Sequence, residues 1–197
     1  MILRPPKPSA IKSRAATSVA VSGTHVPTIA TVAAPAPFAA LRGLENRALP
    51  RTADVVIVGA GPTGLALACV LAAKRVSFVL VERLAEGANT SRAAVVHART
   101  LEVLEELEVS ERLRAEGHVV PRFTLRGRDR VLATIQFDGL PTRYPHTLMI
   151  PQNVTEAILL ARLRELGSAA YRPCSVEDVR QDAEGVSVTV ASDGHPG

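Results

Sequence analysis

Six residues near the start of one apolar stretch have the spacing of a dinucleotide-binding turn. The run Gly59-Ala60-Gly61-Pro62-Thr63-Gly64 has the form G-x-G-x-x-G. The first glycine allows a tight turn, the second lets the backbone approach a pyrophosphate closely, and the third lets a helix pack against a sheet. Pro62 suits the first turn of that helix, because the N–H that proline lacks has no partner there. The motif predicts that residues 59–64 bind phosphates at a helix N-terminus.

One carboxylate lies at the distance from this motif at which such folds bind a ribose. Glu82 follows the last glycine of the motif by 18 residues and stands at the end of an apolar run. An acid in that position accepts hydrogen bonds from ribose hydroxyls. It also disfavours the 2′-phosphate of NADP. The dinucleotide-binding unit alone leaves NAD and FAD as alternatives.

These groups need a strand, a helix and a second strand to position them. Residues 54–58 are almost all β-branched and apolar, which is typical of a strand buried on both faces. Residues 65–73 are small and apolar on all sides and predict a buried helix, and residues 77–81 predict the second strand, which ends at Glu82. This order predicts an α/β, Rossmann-like domain with a parallel sheet. It also makes a chance glycine-rich turn between packed elements the weaker interpretation.

A family resemblance begins after the second strand. Residues 91–107, SRAAVVHARTLEVLEEL, resemble the second conserved block of the group A flavoprotein aromatic hydroxylases, the single-component FAD monooxygenases that include p-hydroxybenzoate, phenol and polyketide hydroxylases. Residues 148–152, LMIPQ, followed by Thr155-Glu156, resemble the next block of that family. The resemblance covers about residues 53–193.

This resemblance implies FAD as the cofactor and assigns roles to individual residues. Arg92 would bind the FAD pyrophosphate, for which a bidentate guanidinium is suited. Gln152 would form a hydrogen bond to the ribityl side of the flavin. Glu82 would bind the adenosine ribose, with Arg83 near the adenosine. The implied reaction uses NAD(P)H and oxygen to hydroxylate a small phenolic substrate, and FAD carries the chemistry, so that no catalytic side chain is assigned.

The remaining residues predict a mixed architecture. Residues 122–126 and 131–137 flank a Gly-Arg-Asp-Arg turn and predict an antiparallel hairpin inserted into the domain. In the family, such strands contribute to the substrate side. Residues 154–166 predict an amphipathic helix that ends at Gly167. Residues 175–179 and 186–190 alternate as strands do.

The first 52 residues differ in composition from the rest and predict a disordered basic tail. They are rich in Ala, Pro, Ser and Thr, and prolines interrupt each apolar run. Residues 1–53 contain seven lysines and arginines and one glutamate, a net charge of +6, whereas the whole chain carries +4. The folded part is therefore slightly acidic, which argues against a nucleic-acid partner. The tail is interpreted as a mere extension, with an organellar targeting segment as the alternative.

Composition excludes several classes of protein. Hydrophobic residues make up 47% and charged residues 21% of the chain, which are ordinary globular values. The sequence has no apolar run of about 18 residues, which argues against a membrane span. Two cysteines cannot build a disulfide framework, which favours a reducing compartment such as the cytoplasm. The five histidines have no ligand spacing, so that no metal is expected.

The domain assignment from the sequence is a tail over residues 1–52 and an FAD-binding domain over residues 53–197. The family normally continues with an Asp-Gly block and a Gly-Asp-Ala block, so that this chain is expected to be the front part of a hydroxylase. Two alternatives stay open. One is a catalytically inactive nucleotide-binding remnant or interaction module, and the other is a piece of an NAD-dependent dehydrogenase, which the Arg92 and Gln152 blocks disfavour. The oligomeric state and the identity of the aromatic substrate are left open.

Overall fold

The computed structural model describes residues 48–87 and 95–192, together with the backbone of Ala16–Ser22. The described chain forms eleven strands and four helices in an α/β arrangement. In chain order they are β1 (Ala16–Ser22), β2 (Thr52–Ala53), β3 (Val55–Val58), α1 (Pro62–Ala73), β4 (Phe78–Val81), β5 (Val95–Val96), α2 (Ala98–Glu105), α3 (Ser110–Glu116), β6 (His118–Val120), β7 (Arg122–Arg126), β8 (Val131–Gln136), β9 (Thr147–Met149), α4 (Gln152–Glu165), β10 (Cys174–Gln181) and β11 (Gly185–Ser192).

The predicted strand–helix–strand unit is present as β3, α1 and β4. The two strands pair in parallel from Val55 opposite Phe78 to Val58 opposite Val81. An isolated parallel bridge joins Val81 to Tyr171, so that residue 171 continues the parallel sheet on the far side of β4. The parallel sheet predicted from the sequence is confirmed, although among the described residues it consists of two strands and this bridge.

Strand β4 is buried on both of its faces, because two apolar clusters meet at it. Leu80 lies in a cluster with α1, α2, α3 and α4. Val79 and Val81 point the opposite way and pack with Val188 and Val190 of β11. Successive side chains of a strand alternate between its faces. A strand that is apolar at every position is therefore needed here. The sequence predicted burial on both faces for residues 54–58 instead, but among the residues of β3 only Ile57 is buried and Val58 is 62% exposed.

Three further sheets surround the parallel pair. One has the strand order β10-β11-β1-β2, one is the antiparallel sheet β5-β9-β6, and one is the isolated hairpin β7-β8. The hairpin and the β10-β11 pair were predicted. Strands β5, β6 and β9 and helix α3 were not, because each is seven residues or shorter and lacks a clear period.

The structure corrects the prediction of disorder over residues 1–52 at one segment. Ala16–Ser22 forms strand β1, which pairs antiparallel with β11 over seven positions from Ala16 opposite Ala191 to Ser22 opposite Gly185. This segment, ATSVAVS, contains no proline and carries two valines and a threonine, which suit a strand. The neighbouring edge of β11 provides the partner that the sequence of the tail does not reveal. Thr52, at the end of the predicted tail, likewise lies in β2 and pairs in parallel with Ala20 of β1. The structure does not describe residues 1–15 and 23–47, to which most of the remaining prediction refers.

The chain leaves helix α2 through a left-handed residue that is not glycine. Glu108 adopts a left-handed backbone with φ 60°, which costs a residue with a side chain about 1–2 kcal/mol. Its carboxylate forms an ion pair with Arg162 of α4 at 2.6 Å. The helix thus ends as a glycine would end it, at a steric cost.

None of the helices in the described ranges is long and apolar enough to cross a membrane.

Gly64 is the glycine of the motif at which an added side chain would overlap the backbone. A Cβ built at Gly64 would overlap the carbonyl oxygen of Gly59, whereas one at Gly61 would have Glu156 Oε1, at 4.0 Å, as its nearest neighbour. We expect Gly64→Ala to lower the free energy of unfolding by about 1–3 kcal/mol or more, because the α1–β3 junction must open. Gly61→Ala is the matched control and should cost less than about 1 kcal/mol. Urea unfolding of both variants checks this, and equal stabilities would contradict the packing role of Gly64.

Candidate dinucleotide-binding site

The glycine turn leaves strand β3 and enters helix α1 with little side-chain bulk. Gly59 has φ 104°, a backbone conformation that a residue with a side chain rarely adopts. Its N–H donates to the carbonyl of Val81 at 2.8 Å, which ties the turn to the end of β4. Gly61 is the N-cap of α1, Pro62 opens the helix, and no side chain caps the first turn. The helix N-terminus therefore offers its partial positive charge to a bound anion.

Glu82 fixes this turn through its carboxylate. Its Oε2 accepts a hydrogen bond from the N–H of Ala60 at 2.8 Å. Its Oε1 accepts one from the N–H of Leu84 at 3.0 Å. A carboxylate has about four acceptor positions, so that both oxygens retain capacity for a ligand. The predicted ribose acceptor thus has a second role, which is to hold the glycine turn against the end of β4.

The surroundings of Glu82 keep its carboxylate ionised. Partial burial favours the neutral acid and is the largest single influence, but the hydrogen bonds from Leu84 and Ala60 and the charges of Arg172 and Arg83 together outweigh it. The pKa of Glu82 therefore lies below its ordinary value of 4.5. An ionised carboxylate is the stronger acceptor for hydroxyl donors.

A polar groove of about 200 Å³ runs from the glycine turn to the N-terminus of α4. Its lining includes Ala60, Gly61, Glu82, Arg83 and Gln152 from the predicted set, and Leu84, Glu86, Gly87, Glu156 and Arg172 in addition. Gln152 begins α4, and its Nε2 donates to Glu156 Oε1 at 2.7 Å. This hydrogen bond orients the Gln152 amide at the end of the groove.

A second, apolar cavity of about 340 Å³ lies on the other side of Gln152. It is lined by Pro62 and Thr63 of the motif, by Gln152, and by Ala66, Val95, Val96, Thr100, Val103, Leu104, Thr155 and Leu159. Because Gln152 and the start of α1 border both spaces, a ligand that is polar at one end and apolar at the other could span them. A dinucleotide with one large apolar ring system has that character.

The structure brings together nine of the ten residues predicted to bind the cofactor. Gly59 and Gly64 shape the turn from within. Ala60, Gly61, Glu82, Arg83 and Gln152 line the groove, while Pro62, Thr63 and Gln152 line the apolar cavity. Arg92 lies outside the described residues, so that its predicted contact with the pyrophosphate stays a prediction.

Sequence reasoning missed three charged residues of the groove, Glu86, Glu156 and Arg172. Glu156 is buried on α4, between Gly61 and Gly87. Arg172 follows the residue that pairs in parallel with the end of β4. The sequence carried one signal for Arg172: a third parallel segment is expected after a second crossover helix, and its end faces the same edge of the sheet as Glu82.

Comparison with known proteins identifies a matching family and similar enzymes. Residues 52–196 match the family model described as FAD binding domain. The chain is 42% identical over 139 residues to 12-dehydrotetracycline 5-monooxygenase/anhydrotetracycline 6-monooxygenase of Streptomyces rimosus subsp. rimosus, an alignment that covers 70% of this chain and 27% of that protein.

Solved structures show the same likeness. The anhydrotetracycline hydroxylase from Streptomyces rimosus superposes with a TM-score of 0.63 at 40% identity, over 70% of this chain and 28% of that one. Aklavinone-11 hydroxylase, solved in a ternary complex with FAD and aklavinone, gives a TM-score of 0.59 at 29% identity, over 70% of this chain and 29% of that one. The chain thus spans just over a quarter of the length of these relatives.

The two roles of Glu82 give a prediction with a defined dependence on pH. We expect Glu82→Gln to weaken FAD binding about ten- to hundredfold, because a charge-assisted hydrogen bond contributes roughly 1.5–3 kcal/mol. The ionised carboxylate also stabilises the folded protein, by about 1 kcal/mol once its exposure to solvent is taken into account. That stabilisation is fully present above the pKa of the unfolded chain and is lost as the pH falls through the lowered pKa of the folded state.

Urea unfolding from pH 7 down to pH 3 measures this dependence. The wild type should be more stable than Glu82→Gln at neutral pH, and the two curves should converge at acidic pH. Glu106 is exposed, and Glu106→Gln is the matched control. Its free energy of unfolding should equal that of the wild type at every pH. A gap between wild type and Glu82→Gln that does not narrow as the pH falls would contradict the assignment.

Proposed function

This chain belongs to the FAD-binding domain family, and on that premise we propose that it binds FAD across the glycine turn as the nucleotide-binding portion of an aromatic monooxygenase. The observation that carries the proposal is the position of the Glu82 carboxylate. It accepts a hydrogen bond from the N–H of Ala60 and lies at the carboxyl end of β4, beside the start of α1, which no side chain caps. NADH or NADPH as reductant and a small phenolic or polycyclic aromatic compound as substrate belong to the proposal. The tetracycline and aklavinone enzymes named above support the class of substrate.

The residues of the site fit an FAD molecule. The open space beside Gly61 lets phosphate oxygens approach the backbone. Glu82 retains acceptor capacity for ribose hydroxyls, and the Gln152 amide is held at the border of the apolar cavity by Glu156. We therefore assign the adenosine and phosphates to the polar groove and the ribityl chain to the region of Gln152. When bound, FAD would supply the redox and oxygen-transfer chemistry.

The hairpin β7-β8 is our candidate for the substrate side. Its strands place apolar side chains on one face, with Leu125 60% and Ile135 53% exposed. Phe123 and Phe137 pack edge to face at 5.5 Å at the end of that face. An open apolar sheet face is suited to an aromatic ligand or to further protein that encloses one.

The two thiols fit a reducing compartment, which supports the cytoplasm as the proposed location. Cys69 and Cys174 are both buried and unpaired. Burial raises the pKa of the Cys69 thiol to about 11 and that of Cys174 above its ordinary value. Such thiols are unreactive and pack as small apolar groups.

Titration of the purified 197-residue chain with FAD tests the proposed function. We expect saturable quenching of flavin fluorescence with one site per chain. Gly61→Ala, which should still fold, should weaken this binding, because its methyl group fills the space that a phosphate would approach. Absence of saturation, or equal affinity of wild type and Gly61→Ala, would contradict binding at the glycine turn.

We also expect residues 1–197 alone not to hydroxylate phenols, even with FAD and NADH or NADPH supplied. Oxygen transfer requires the flavin ring and the substrate carbon to be positioned within about an ångström and shielded from water. The relatives perform it with chains roughly two and a half times as long as this one. Chromatography of a panel of phenols, with hydrogen peroxide measured in parallel, checks this. Hydroxylated product with little peroxide would show that this chain is a complete enzyme.

A further inference from the structure

Arg172 lies beside the predicted ribose-binding carboxylate because the backbone around it is tied to the end of β4. The N–H of Tyr171 donates to the carbonyl of Leu80 at 2.8 Å, and the N–H of Glu82 donates to the carbonyl of Tyr171 at 3.0 Å. The N–H of Cys174 then donates to the carbonyl of Glu82 at 2.7 Å. Residues 171–174 therefore follow the last residues of β4 with a fixed register, which sets the position of Arg172.

Arg172 and Glu82 hold the same residue of the glycine turn from two sides. Glu82 Oε2 accepts from the N–H of Ala60 at 2.8 Å, and Nη2 of Arg172 donates to the carbonyl oxygen of Ala60 at 3.4 Å. The two side chains also attract one another, since the charge of Arg172 is one of the influences that lower the pKa of Glu82. The residue at the centre of the phosphate-binding turn is thus fixed at both its donor and its acceptor.

The guanidinium of Arg172 has donor capacity left over. Its Nε is buried and has no hydrogen-bond partner among the residues that the structure describes. A guanidinium carries five N–H donors, of which one on Nη2 is used at the Ala60 carbonyl. Since Arg172 lines the groove while its Nε is inaccessible, a ligand with oxygen acceptors there would meet the remaining N–H groups of the terminal nitrogens.

The groove has one more carboxylate than guanidinium, so that an anionic ligand bound there depends on the two cations. Three carboxylates, Glu82, Glu86 and Glu156, line it with two guanidiniums, Arg83 and Arg172. Arg83 is exposed, whereas Arg172 is partly buried and also borders the adjoining cavity of about 300 Å³ beside α4. A pyrophosphate brings two further negative charges, so that a fixed cation close to the turn is needed to offset them.

The position of Arg172 also indicates which half of FAD it would meet. Arg172 shares the polar groove with Ala60, Gly61 and Glu82, but it does not line the apolar cavity beyond Gln152. In our assignment the adenosine and phosphates occupy the groove, and the flavin lies beyond Gln152. Arg172 therefore faces the ADP half only.

We propose that Arg172 is a further dinucleotide-binding residue, which fixes the Ala60 carbonyl and donates to oxygen atoms of the ADP half of FAD. This inference rests on the proposed function, because it requires FAD to occupy the groove. It predicts that the ADP half depends on Arg172 whether or not the flavin is attached. It predicts further that replacing the guanidinium reduces the dependence of ADP binding on salt, because an ion pair with phosphate is lost.

Calorimetric titration of the full 197-residue chain with FAD and, separately, with ADP tests this inference. We expect Arg172→Gln to weaken both ligands about ten- to hundredfold and to flatten the salt dependence of ADP binding. Arg172→Lys should lie between this variant and the wild type, because it keeps the charge but loses the planar fork. Arg180→Gln, which removes a guanidinium that is 84% exposed on β10, is the matched control and should bind as the wild type does.

The possible outcomes separate this inference from the proposed function. A wild type that binds neither FAD nor ADP overturns both. A wild type that binds, with an Arg172→Gln variant of equal affinity, overturns only the role of Arg172, as does a loss confined to FAD with ADP unchanged. If circular dichroism shows that Arg172→Gln does not fold, Arg172→Lys decides: a loss of threefold or more for ADP supports the inference, and unchanged affinity overturns it.

Discussion

The site depends on one hydrogen bond, from the N–H of Ala60 to the carboxylate of Glu82. It joins the turn after β3 to the end of β4 and so fixes the glycine backbone before any ligand binds. Preorganisation of this kind lowers the cost of ordering a loop on binding. A separate packing constraint acts at the same turn, because a side chain at Gly64 would overlap the carbonyl oxygen of Gly59.

A second constraint is that carboxylates line the groove to which we assign the phosphates of FAD. Glu156 is buried beside Gly61, where its charge would repel a pyrophosphate, but it accepts a hydrogen bond from Gln152 and so orients that amide. The guanidiniums of Arg83 and Arg172 and the positive end of α1 offset the carboxylates. Opposite charges therefore lie side by side in the groove, and the loss of one cation should weaken binding of the ADP half.

The sequence predicted those parts of the molecule that local patterns determine. The β3–α1–β4 unit, the β7-β8 hairpin and the position of Glu82 follow from periodicity and from glycine spacing, and the comparisons confirm the resemblance to FAD monooxygenases. Contacts between distant segments were not predictable in this way. Strand β1 depends on the edge of β11, and the roles of Arg172 and Glu156 depend on a register that only the folded sheet provides. The sequence predicts Glu82 as a ribose acceptor, whereas its hydrogen bond to Ala60 depends on the folded arrangement of the strand end and the turn.

A crystal structure of the chain with FAD bound would test the central claim most directly. Our account predicts that the adenosine ribose lies within hydrogen-bond distance of Glu82 while the bond to Ala60 is kept, with the phosphates over Gly61 and the flavin beyond Gln152. A dinucleotide bound elsewhere on the chain, or one whose ribose turns away from Glu82, would contradict it.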